Sequence, residues 1–159
     1  MTLFRRLRDA IRYGAYAVLA ALTLAAALDL APGHPVAAQG IISTSQAAEQ
    51  IYAQMPDLPL ENHYESAETR GIAESSTLIR RLVRYHLFVQ RRQPLSRLDW
   101  KLTLADYLGV NEWVTEPAYP GYSELEESPR NGDMNAVRSL TLAQRHALVE
   151  ALVGVYRPD

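Results

Sequence analysis

His86 is the first residue whose type and setting could do chemistry. It sits in an apolar stretch at helical spacing, four residues after Leu82 and three before Val89. A lone imidazole on an apolar face is more often a core histidine bonded to one partner than an axial ligand to a tetrapyrrole or metal. His146 and Glu150 lie four apart, a spacing that chelates a metal when a third ligand is supplied, but no recognisable motif supplies one. Asn131, Asp133 and Asn135 begin like an EF-hand loop. Ala136 then stands where that loop needs glycine, and Leu142 where it needs a bidentate acid, so calcium is excluded there. No serine-hydrolase elbow, phosphate-cradling glycine loop or paired glycosidase carboxylates occurs. The chain has no cysteine, which rules out disulfides, thiol catalysis, thiolate-ligated zinc and c-type haem attachment. The expectation is therefore a protein that is not an enzyme and needs no cofactor. The alternative is a cofactor- or metal-binding helical domain, or a cryptic enzyme, using His86 or His146 with Glu150.

A second kind of chemistry is carried by arginine. Arg80, Arg84 and Arg91 are spaced by four and seven, which on one helix gives a row of three guanidinium groups about 17 Å long at ~1.5 Å rise per residue. Leu87 lies near that row and gives it an apolar centre. Arginine pairs carboxylates and phosphates in a bidentate way. The charges are also blocked along the chain. Arg80–Lys101 carries seven bases and one acid, and Asp106–Asp133 carries seven acids and one base. The bland reading is two solvated faces that pair loosely with each other. The sharper reading is that Arg80, Arg84 and Arg91 dock an acidic partner or an anionic membrane surface.

These residues need elements to position them. Ser43, Thr44 and Ser45 are good caps for a first helix over Ile41–Met55, which Pro56 stops. The main helix is expected from about Ser66 to Arg92, ended by Pro94, with Leu78, Ile79, Leu82, Val83, Tyr85, His86 and Val89 on its apolar face. Ala67, Gly71 and Ser75 would continue that face with small residues. Ser96–Gly109 reads as another helix, capped by Ser96 and stopped by Gly109. It is apolar on two sides: Leu98, Leu102 and Ala105 on one, Trp100, Leu104 and Tyr107 on the other. The second side is the candidate for a spare, partner-binding surface. The short turn before it predicts a helical hairpin with the main helix. Residues 110–138 have no sustained period and read as a long irregular segment. Thr141 with Gln144 forms a capping box for a last helix to about Val153. The expected core joins Leu82, His86, Val89, Leu98, Leu102 and Val149. The fold class is all-α, a small domain of three to four helices.

With 159 residues, 48% of them hydrophobic, the chain has room for one domain and an N-terminal address. Arg5, Arg6, Arg8 and Arg12 precede an uncharged apolar run over Gly14–Leu28, and Val36-Ala37-Ala38 offers small residues before Gln39. That is the plan of a secretory signal, cleaved or retained as an anchor, over residues 1–38, with an exported domain over 39–159. The apolar run is shorter than the ~20 residues that cross a bilayer. From Gln39 on, twelve bases stand against sixteen acids, a net charge of −4, and no nucleic-acid partner is expected.

The stretch Arg84–Gly109, RYHLFVQRRQPLSRLDWKLTLADYLG, together with the alanine-rich signal, resembles small conserved proteins of cyanobacteria and chloroplasts that associate with thylakoids. The resemblance covers about a quarter of the exported domain and carries no catalytic motif. It implies a thylakoid-lumen or periplasmic address and a non-catalytic role. The functional expectation is an exported or membrane-associated interaction protein that helps assemble or stabilise a thylakoid or plasma-membrane complex, with Arg80, Arg84, Arg91, Trp100, Leu104 and Tyr107 facing the partner.

Overall fold

The structure, a computed structural model, describes residues 42–157. The signal segment 1–38 and the junction before Gln39 lie outside them. The described residues are all-α: five α-helices, with no strand among them. They are α1 Thr44–Gln54, α2 Leu78–Arg84, α3 Arg97–Leu108, α4 Arg130–Ser139 and α5 Leu142–Tyr156. A π-helical turn, Tyr85–Val89, continues α2, and a 3₁₀ turn spans Glu116–Ala118. Among the described residues, no helix is long and apolar enough to cross a membrane.

Local chemistry accounts for the helix ends. Ser43 and Thr141 each form the full capping box, with Gln46 and Gln144. Ser96 accepts from the Asp99 amide at the start of α3, and Gly109 closes that helix at φ 77°. α1 packs on α2 and α5, while α3 packs on α4 and α5. Ile51, Leu78, Ile79, Leu82, Val83, Trp100, Tyr107, Leu148 and Leu152 form the core between them. α2 is central. Leu78, Ile79, Arg81, Leu82 and Val83 are all buried, so only Arg80 and Arg84 keep access to solvent.

Several expectations fail here for identifiable reasons. The main helix does not begin near Ser66. Thr77 caps α2 by accepting from the Arg80 amide, and residues 60–77 run as a folded loop. That loop pairs Ser66 with Gly71 and Ala73 with Tyr64, and Glu61 and Arg70 sit in the left-handed region. Its backbone is needed elsewhere: the Leu60 carbonyl accepts from the Leu78 amide, and the Glu61 and Ser76 carbonyls accept from Arg81.

The helix also ends before Pro94. In the π turn, the Gln90 amide bonds the Tyr85 carbonyl. The Arg92 amide reaches back to the His86 carbonyl, with Arg91 left-handed at φ 52°. This is the closure usually given to glycine. Arg91 is thus off the helix, and the three-arginine row does not form. Leu87 is partly buried against the core; the exposed residue is Phe88, at 66%.

The face of α3 expected to be spare is buried. Trp100, Leu104 and Tyr107 lie in the core, whereas Leu98 is 65% exposed and Leu102 only half-buried. Of the expected core, Leu82, His86 and Val149 are buried and Val89 is exposed. Of the two apolar sides of α3, the one with Trp100 and Tyr107 faces inward, because large aromatic volume outweighs leucine in filling the centre. Finally, residues 110–138 are not irregular throughout, since α4 starts at Arg130. Its Gly132 is tolerated in the helix because the Tyr64 hydroxyl occupies the space a Cβ would fill.

Candidate functional site

Two buried ion pairs organise the interior around α2. Arg81 donates Nε to Asp133 Oδ2 at 2.7 Å and Nη2 to Asp133 Oδ1 at 2.6 Å. Its other donors go to the Ser76 carbonyl and hydroxyl and to the Glu61 carbonyl, so all five N–H groups are used. Tyr119 donates to Asp133 at 2.5 Å and shares a 2.8 Å bond with Tyr107. Burial pushes the Asp133 carboxyl up, and the bonds from Arg81 and Tyr119 pull it the other way. Arg92 bonds Asp106 at 2.6 Å, and Asp106 also accepts from Tyr85, Asn111 and the Glu112 amide.

His86 belongs to the second network. Its Nε2 faces the Gln93 carbonyl at 3.3 Å, so that nitrogen carries the proton. Nδ1 then accepts from Thr103, whose hydroxyl accepts in turn from Arg92. The ring is stacked on Trp100, centroids 3.4 Å apart and planes at 8°. Burial holds its pKa down at about 4, and the Arg92 charge acts in the same direction. Both nitrogens are engaged inside the protein, which is the geometry of a core histidine. His146 is exposed, and Glu150 is paired with Arg97. Among the described residues, no group of three histidine or carboxylate side chains could hold a metal ion.

Of the arginines expected to dock a partner, Arg80 and Arg84 are brought together. They line one open cavity of about 390 Å³ with Ser66, Ser75, Ser76 and Glu124. Arg80 donates Nη1 to the Ser75 carbonyl and hydroxyl, at 3.1 and 3.0 Å, and its Nε is buried without a partner among the described residues. Arg84 makes a fork-to-fork pair with Glu124, at 2.8 and 2.6 Å.

A second concavity, about 440 Å³, shares Arg84, Ser123 and Glu124 with the first. Phe88, Val89, Ala118 and Pro120 complete it. The two adjoin at the Arg84–Glu124 pair, and we treat them as one groove, with Arg80 at one end and Phe88 at the other. Arg91 is exposed and lines neither part. Glu124 and Phe88 were missed from the sequence. The opposed charge blocks were the available signal for Glu124; nothing in the spacing marks Phe88, because the π turn that exposes it is not periodic. Comparison with family models, curated proteins and solved structures finds no match to this chain.

Proposed function

We propose that the chain is a non-enzymatic helical interaction protein, exported or membrane-associated, that docks a protein of a thylakoid or plasma-membrane complex and helps to assemble or stabilise it. The single observation that carries the docking role is the groove along α2, where exposed Phe88 and Val89 share one concavity with Arg84, and Arg84 shares the next with Arg80. An aromatic anchor beside arginine is the composition that concentrates binding energy at protein interfaces. The groove is concave, and Arg84 is only 29% exposed. A flat lipid surface engages protruding cations, so a protein segment that can enter the groove fits better. The address rests on the arginine-flanked apolar run and on the resemblance to thylakoid-associated proteins. The non-catalytic role rests on the lack of a catalytic motif in the sequence.

Affinity capture from native membranes tests the reading. Phe88→Asp places a charge on an exposed side chain and leaves folding intact. It should cut partner recovery at least tenfold, since a central aromatic is worth about 2 kcal/mol or more. Equal recovery by the wild type and a well-folded Phe88→Asp variant would sink the docking role of this face.

A further inference from the structure

Glu124 occupies Arg84 in the geometry that an incoming carboxylate would take. Both guanidinium nitrogens are engaged, yet the glutamate side chain is 53% exposed. Its backbone is fixed independently of that pair. The Ala67 amide bonds the Glu124 carbonyl at 3.0 Å, the Glu126 amide bonds the Glu65 carbonyl at 3.0 Å, and Ser66 and Leu125 form an antiparallel bridge. The movable part of Glu124 is therefore its side chain. One turn of α2 earlier, Arg80 is anchored through Nη1 alone, with Nε buried and unpartnered beside the same cavity. A buried donor without an acceptor is costly. The cavity brings serine hydroxyls close, and it also holds Glu68.

We propose that the Arg80–Arg84 cavity is a subsite for one carboxylate side chain of an acidic partner segment, and that Glu124 is an internal stand-in for it that the partner displaces. This rests on the docking reading above and deepens it. The partner carboxylate takes the fork of Arg84 and reaches Arg80, while its neighbouring apolar residue lies against Phe88 and Val89. Glu124, whose side chain is half-exposed, swings into solvent, and the partner carboxylate replaces its pair with Arg84. The bonds from Arg84 hold the Glu124 carboxyl below its usual range, and the charge of Arg80 acts in the same direction. Occupation by Glu124 lowers the affinity for any incoming carboxylate about fivefold, which favours a segment that also engages Arg80.

Fluorescein-labelled hexaglutamate, titrated by polarisation, is the probe. Glu124→Gln removes the stand-in while the backbone pairing stays, and it should bind the probe about fivefold tighter, the factor that ~1 kcal/mol represents. Arg80→Gln should weaken binding about tenfold, whereas Arg97→Gln, an exposed arginine on α3, should leave it unchanged. Equal affinity of Glu124→Gln and wild type, or equal losses at Arg80 and Arg97, would overturn the subsite. So would equally tight, Arg80-dependent binding to phosphatidylglycerol vesicles, which would make the ligand a lipid headgroup. If hexaglutamate fails these tests while capture from membranes still depends on Phe88, the subsite falls and the docking role stands. If capture loses its dependence on Phe88, the docking role falls whatever hexaglutamate does.

Discussion

Arg81 and Asp133 are 52 residues apart and wholly buried, and they tie the 61–77 loop to α2 and α4. A buried pair gains little over a well-packed apolar pair, but removing one partner strands the other charge. Asp133→Ala should therefore cost about 3–5 kcal/mol in urea unfolding, and adding Arg81→Met should recover only part of that, because the Glu61 and Ser76 carbonyls lose their donor. An Asp133→Ala protein as stable as the parent would show that the pair is not what holds these segments. His86 makes a prediction in pH. The folded ring stays neutral down to about 4, while the unfolded chain takes up its proton near 6.5. The stability this contributes is complete above pH 6.5 and is lost as pH falls towards 4, in total about 3 kcal/mol. His86→Phe should flatten that part of the stability–pH curve, and an unchanged slope would mean that other groups set it. The core setting of His86 was legible from its apolar neighbours, but the Arg81–Asp133 pair was not. Arg81 is one position round from Arg80 in the same basic run, and only a carboxylate brought in by α4 decides that it points inward.

The elements were legible where local chemistry specifies them. Ser43, Ser96, Gly109 and Thr141 are visible as caps, and each sits where it was expected. The start of α2 was not, because Ala67, Gly71 and Ser75 fit helical spacing while their backbone bonds elsewhere: the Ala67 amide to Glu124, the Gly71 carbonyl to the Ser66 amide and the Ser75 carbonyl to Arg80. The C-terminal end was missed because a π turn and a left-handed Arg91 together stop the helix before Pro94. Arg91 makes this testable. A non-glycine residue in that conformation costs about 1 kcal/mol, so Arg91→Gly should raise stability by about that amount. A fall in stability on chemical denaturation would mean that the arginine side chain holds the turn through contacts that outweigh the strain.

At the scale of the molecule, three bases of the first block pair with acids of the second. Arg81 with Asp133, Arg84 with Glu124, and Arg92 with Asp106 and Glu112 all join the first block to the second. The all-α class and the pairing of opposite charges were therefore readable, but their depth was not, since burial depends on which helices come together. Within the groove, the pairing leaves Arg80, the displaceable Arg84–Glu124 bridge and the apolar end at Phe88. The central claim is that this groove docks an acidic protein partner through its arginines. The measurement that meets it most directly is capture from native membranes by wild type and by Arg80→Glu with Arg84→Glu, at about 0.1 M and about 0.5 M salt, with circular dichroism as the folding control. The account predicts that the wild type retains its partner at low salt and sheds it at high salt, and that the folded double variant captures none at either. Undiminished capture by that variant would contradict it.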